Sequence, residues 1–201
     1  MSVKSMSQPI GIVMAIAITA TLSGTAVAAW QPAKPIEFVA TAGPGGGTDN
    51  FARAVQNIIT KHKLVEQPIV VTNKAGGSGA EGFTYVKAMA GDPYKVVFGT
   101  SNAWNQPMVS KVAFKHTDLT PIAAMVQDEF LLWVKQDAPY QNVTDYLKAV
   151  AAKPGDFKMG GAQSKDTDEV LTRLIDKAAK VKFTYIPFKS GAEAAVQLAG
   201  G

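Results

Sequence analysis

The sequence predicts an α/β protein built on parallel sheets, and three observations carry that expectation. Short apolar runs alternate with amphipathic helical segments along most of the chain. Glycine- or serine-bearing loops join the runs to the helices that follow, an order that gathers ligand loops at the carboxyl edge of a parallel sheet. The composition, 47% apolar and 18% charged over 201 residues, is that of a globular chain with enough apolar surface for a core.

The first 29 residues stand outside this pattern. Lys4 supplies a positive start, Ile10 to Leu22 an apolar stretch, and Ala26-Val27-Ala28 a small-residue cleavage signal. A spanning helix needs about 20 apolar residues. This stretch is shorter and is diluted at its end by Thr19, Thr21, Ser23 and Gly24. Residues 1–28 are therefore expected to be a cleaved signal peptide rather than a transmembrane anchor, with Ala29 as the neighbouring cleavage position. The chain has no cysteine to carry a lipid at that point, so the exported product is expected to be free in a periplasm.

The elements follow in order. Ile36 to Thr41 predicts a strand, Ala42 to Gly47 a loop, and Asp49 to Lys61 a helix with Phe51, Ala52, Val55, Ile58 and Ile59 on one face. Pro68 to Asn73 predicts a second strand, Ala75 to Gly79 a second glycine loop, and Gly82 to Ala90 a helix. Lys95 to Thr100 is the third strand, opening into a polar loop over Ser101 to Gln106. Two apolar runs, Ile122 to Val126 and Phe130 to Val134, read as strands leading out of a first lobe, which would comprise residues 29–134. A second lobe, 135–201, alternates again: helix Thr144 to Ala152, strand Phe157 to Gly160, loop Gly161 to Asp166, helix Thr167 to Lys180, strand Lys182 to Ile186, loop Pro187 to Gly191, and a last helix from Ala192. Val170, Leu171, Leu174, Ile175 and Ala178 form the expected buried stripe of the long helix.

Several chemistries are excluded at this level. Without cysteine, and with only His62 and His116 in polar contexts, a metal site is not expected. The net charge of +4 is scattered with no basic run, which favours small anions over nucleic acid. Gly77 to Gly82 matches G-x-G-x-x-G, yet no acidic residue ends the next strand to hold a ribose, and Asp92 precedes that strand. No Walker loop, G-x-S-x-G elbow or H-E-x-x-H motif is present, and Ser78, Ser164 and Ser190 have no histidine near in sequence. Trp104, Phe130 and Trp133 could line a pocket, with core packing the default for the last two. What remains is AGPGGGTDN, whose glycine amides and helix start suit an anion. The alternative is a tight turn with Thr48 or Asp49 capping the helix.

Five blocks resemble one family. KPIEFVATAGPGGGTDNFAR, QPIVVTNKAGGSGAEG, DLTPIAAMVQDEFLLWV, KMGGAQSKDTDEV and FTYIPFKSGAEAAVQL resemble, in order and spacing, the periplasmic solute receptors of tripartite tricarboxylate transporters, the Bug receptors. GGAQSKDTDEV resembles the tricarboxylate-type branch and departs from the more usual GSAGxGTxxH. The resemblance implies a type II periplasmic-binding-protein fold, two Rossmann-like α/β lobes closing on a ligand, with no cofactor and no catalytic residue. It implies a monomer that binds a small citrate-like di- or tricarboxylate and delivers it to membrane permease subunits, or a sensor feeding a membrane kinase. Carried over residue by residue, the ligand would be held by Gly45, Gly46, Gly47 and Thr48, then Gly77 and Ser78, then Ser101 and Asn102, and from the second lobe by Gln163, Ser164 and Lys165, with Lys189 a weaker candidate. Receptors of this family continue for roughly another third of their length beyond a Leu-Ala-Gly-Gly-like segment, so the second lobe is expected to be incomplete here.

Overall fold

The computed structural model describes residues 30–200. The expected signal peptide, 1–28, lies outside the described residues. From Pro32 onward the chain forms one compact unit. Its first sheet is parallel, with β1 (Ile36–Ala40) flanked by β2 (Ile69–Asn73) and β3 (Lys95–Phe98), in register at Phe38↔Val71 and Phe38↔Val96. Helices α1 (Gly47–Lys61), α2 (Ala80–Ala88) and α3 (Asn102–Val109) follow these three strands in turn. After α4 (Val143–Ala152) a second parallel sheet pairs β4 (Lys158–Ala162) with β5 (Thr184–Phe188), and α5 (Thr167–Ala179) and α6 (Gly191–Gly200) follow them.

Burial explains the order. The central strand of a parallel sheet is covered on both faces, and β1 accordingly buries Ile36, Phe38, Val39 and Ala40. Phe38, Ile36 and Ile69 pack with Val55 and Ile59 of α1, while Phe83, Ala103 and Phe114 form a separate cluster that includes Val97. Tyr146, Val150 and Phe183 make the core of the second sheet, with Phe157 and Ile175 against it.

Four expectations are corrected. Ser101 to Gln106 is not a loop: α3 runs from Asn102, because Asn102 and Gln106, one turn apart, both bury polar ends against partners, and Pro107 is tolerated inside the helix. Ile122 to Val126 and Phe130 to Val134 form no strand, and Ile122 and Trp133 are 78% and 70% exposed. A strand needs a neighbour to take its amides and carbonyls, and no described segment supplies one. Core packing of Phe130 and Trp133 fails for the same reason. In α5 the apolar stripe is only partly covered, since Val170 and Leu174 are exposed and the buried residue is Thr172, which donates to the Asp168 carbonyl. His62 and His116 are exposed, as their contexts predict. Helix α6 buries no residue. Among the described residues no helix is long and apolar enough to cross a membrane.

Among the glycines held by close approach, Gly99 is the most tightly packed. A Cβ at Gly99 would lie 2.5 Å from the ring of Phe83, itself 2% exposed. Gly99→Ala is expected to lower stability by about 1–3 kcal/mol through overpacking. Gly47→Ala, where nothing beyond its chain neighbours and its own helix backbone lies within 4 Å of the new Cβ, should be neutral or slightly stabilising. Urea midpoints of the two variants check the contrast.

Candidate functional site

The loops after β1, β2, β3, β4 and β5 share one device: a side chain from the first turn of the next helix folds back to take a loop amide. Asp49, 2% exposed, accepts from the Gly45 amide at 2.9 Å and from Asn73 Nδ2 at 2.9 Å, and pairs with Arg53 at 3.0 Å. Glu81 accepts from the Gly76 amide at 3.0 Å, and Glu193 from the Lys189 amide at 2.9 Å. At the end of β4 Asp168 takes the Ala162 amide at 2.6 Å, and in the loop that follows Glu169 takes the Lys165 amide at 2.8 Å. Asn102 does the same without charge, its Oδ1 accepting from the Thr100 amide at 3.1 Å. Neither Thr48 nor Asp49 is therefore the cap of α1. Gly46 holds the N-cap position, and Asp49 reaches back from inside the first turn.

These carboxylates titrate differently. Burial alone would raise Asp49, but the hydrogen bonds from Arg53, Gly45 and Asn73 outweigh it and hold the carboxyl below the usual aspartate value. The amide of Lys165 holds Glu169 low against its desolvation. Asp168 and the α5 N-cap Asp166 are pushed up by burial, which their amide partners only partly offset. Tyr185, raised by burial and by the neighbouring Asp168, Glu169 and Asp166, keeps its hydroxyl proton and donates a hydrogen bond shared between the Ala162 and Gln163 carbonyls.

The device decides which predicted amides remain open. Gly45 donates to Asp49 and Gly46 to the Gly43 carbonyl, so two of the three glycines ahead of Thr48 are already occupied. The amides of Gly47 and Thr48, first in α1, and of Gly77 and Ser78, in the bend before α2, have no acceptor among the described residues. Backbone donors at a helix start are what an anion seeks.

The structure brings the other candidates together along a seam between the two sheets' loops. Gln163, 6% exposed, donates through Nε2 to the Thr41 carbonyl at 2.7 Å and accepts from Asn102 Nδ2 at 3.2 Å. The Ser164 amide donates to Ser78 Oγ at 3.0 Å, and Ser101 Oγ lies 2.6 Å from Thr167 Oγ1. Gln106 Nε2 reaches the Ser164 carbonyl at 2.9 Å, and the Gly43 amide reaches the Lys189 carbonyl at 3.1 Å. Lys165 places Nζ 3.3 Å from the Val109 carbonyl and 3.3 Å from Ser110 Oγ, at the end of α3. Ser78, Gln163 and Lys165 all have left-handed backbones, with φ of 57°, 59° and 57°. Such angles are costly without glycine and are kept only where the surroundings enforce them. A hollow of about 810 Å³ opens beside the seam, lined by Gly77, Ser78, Gln106, Ser164 and Lys165 among others. Thr41, Gln106 and Thr167 were not foreseen; for Gln106 the four-residue spacing from Asn102 was the available signal.

Two parallel sheets whose loops meet at the carboxyl ends of their strands have the fold of periplasmic binding proteins, and solved structures agree. One R. palustris protein, solved with adipate, matches with a TM-score of 0.79 and 25% identity over 85% of this chain and 57% of that one. A TctC solute binding protein from Polaromonas, solved without ligand, matches with a TM-score of 0.54 and 34% identity over 85% of this chain and 58% of its own. The chain belongs to the tripartite tricarboxylate transporter family receptors, whose family model matches residues 51–201. A protein in the gbd 5′ region of Cupriavidus necator is 27% identical over 85% of this chain. The chain spans about half of that relative, 52% of its length.

Asp49→Asn removes the charge that holds Gly45, Asn73 and Arg53 together. Because the native carboxyl titrates below its ordinary value of 3.8, its contribution is present above that pH and is lost as pH falls below it. The variant should be less stable by about 1–3 kcal/mol at neutral pH, and the gap should narrow in acid. Urea unfolding at both pH values measures it.

Proposed function

We propose that this chain carries the carboxylate-receiving loops of a periplasmic receptor, which takes a small di- or tricarboxylate and hands it to the membrane permease subunits of its transporter. The observation that carries this reading is the set of unoccupied amides at Gly47, Thr48, Gly77 and Ser78, on two adjacent loops of one sheet. An ionised carboxylate has lone pairs for several such donors, and charge-assisted bonds are the strong ones. The relative solved with adipate, a dicarboxylate, supports the ligand class, and family membership supports the transporter partner and the periplasmic location.

A second carboxylate on the ligand has a partner in Lys165. Its present acceptors are a neutral carbonyl and a hydroxyl at 3.3 Å, and a carboxylate competes well against both. Two anchors also meet the energy required. A helix terminus contributes about 0.3–2 kcal/mol, whereas micromolar affinity needs about 8 kcal/mol. One anchor cannot supply the difference; several amide bonds at one end and a charge pair at the other can. Citrate-like acids fit this better than monoacids, sugars or amines.

Calorimetric titration with citrate, adipate and acetate tests the reading. Citrate or adipate should bind far more tightly than acetate, and Lys165→Ala should weaken the polyacid by roughly 10- to 150-fold. Equal affinity for acetate would remove the two-anchor basis, and an unchanged Lys165→Ala would make Lys165 a solvated surface charge.

A further inference from the structure

We propose that Gln163 is the clasp of the seam, a positioning residue that closes the two sheets' loops on each other through its own carboxamide, rather than a contact for the ligand. The polarity of the arrangement follows from its partners. Asn102 Oδ1 receives both donors of Thr100, the amide at 3.1 Å and the hydroxyl at 3.2 Å. Its Nδ2 is thereby turned toward Gln163 and the Ser78 carbonyl. The Thr41 carbonyl can only accept, so Gln163 must present Nε2 to Thr41 and Oε1 to Asn102. All three residues are buried, at 1% exposure for Thr41 and Asn102 and 6% for Gln163.

The same residue is anchored firmly to its own sheet. Its amide donates to the Phe188 carbonyl at 2.7 Å, and its carbonyl accepts from Tyr185 Oη at 2.9 Å. The left-handed φ of 59° turns the chain so that the side chain crosses to the first sheet's loops, while Ser164 and Lys165 follow on the ligand side. Parting the loops takes the Gln163 donor from the Thr41 carbonyl and its acceptor from Asn102 Nδ2, which keeps only the longer bond to the Ser78 carbonyl at 3.4 Å, and each bond lost is a net cost even where water replaces it. Thr41 and Asn102 ask for one acceptor and one donor side by side. An ionised carboxylate, with acceptors only, would face the Thr41 carbonyl as a like partner. The clasp thus excludes the ligand's carboxylate from this point and leaves it the amides of the first two loops. The last step rests on the carboxylate-receptor reading above; the clasp itself does not.

Residue-resolved hydrogen exchange on the protein without added ligand is the test, and its outcome is independent of whether a carboxylate binds. The amides of Gly43 and Ser164, bonded across the seam to the Lys189 carbonyl and to Ser78 Oγ, report opening. The Thr41 amide, bonded to the Phe98 carbonyl, reports the first sheet. Gln163→Glu keeps the side chain's size but sets an oxygen against the Thr41 carbonyl. At about pH 7.5 the variant should exchange at Gly43 and Ser164 roughly tenfold faster than wild type, with Thr41 unchanged. Near pH 4 the excess should shrink, because a protonated carboxyl donates again. Unchanged seam exchange, or an excess equal at both pH values, overturns the proposal. Should Gln163→Glu lose its far-UV circular dichroism, a double-mutant cycle of Gln163→Ala and Asn102→Ala in urea decides instead. Non-additive midpoint shifts support the clasp, and additive ones overturn it.

Discussion

The helix-borne acceptor that turns back onto its own loop is the constraint on which the rest of this structure depends. A parallel sheet delivers each strand's end to a loop that must reverse into a helix, and that loop carries amides with no ladder to join. Asp49, Glu81, Asn102, Asp168, Glu169 and Glu193 each take one such amide from the first turn of the following helix. The bond fixes the loop's shape, and a carboxylate at a helix start is also favoured by the helix dipole. It has a second effect, since an amide so held is withdrawn from any ligand. Within the two glycine runs, the amides left without a protein acceptor among the described residues are those of Gly47, Thr48, Gly77 and Ser78.

Cross-sheet contacts add a second layer. Thr41 and Asn102 sit where β1 ends and α3 begins, and Gln163 joins them from the loop after β4. Arg53 is half-exposed in its pair with Asp49, and Lys95 and Tyr85 hold Glu37 on the central strand of the first sheet. Burial would raise Glu37, but the bonds from Lys95, Thr72 and Tyr85 outweigh it and keep the carboxyl low.

Much of the fold was legible because the local signals agree with the tertiary result. The strand, glycine loop and helix order around β1, β2 and β3 follows from runs such as IEFVA and IVVTN, and Ala52, Val55 and Ile59 do face the core. The misreadings have physical causes. In α3, Asn102 and Gln106 are polar for the sake of partners 61 and 58 residues away, Gln163 and Ser164, so the helix reads as a loop. The apolar runs Ile122–Val126 and Phe130–Val134 suit strands, yet pairing is a property of a neighbour that their own residues do not encode. Similarly, the glycines before Thr48 suit either an anion or a tight turn, and which of their amides stay open depends on Asp49 folding back, a detail below the resolution of a motif. Gln163 reads from its loop as a ligand contact, while the partner it bonds, Thr41, 122 residues away, carries no sequence signal.

The most direct measurement is an amide-resolved nuclear magnetic resonance titration with adipate. The largest shifts are expected on the amides of Gly47, Thr48, Gly77 and Ser78, while Gly45 and Gly76, held by Asp49 and Glu81, should move little. Largest shifts at Gly45 and Gly76, or none on either loop, would contradict this expectation.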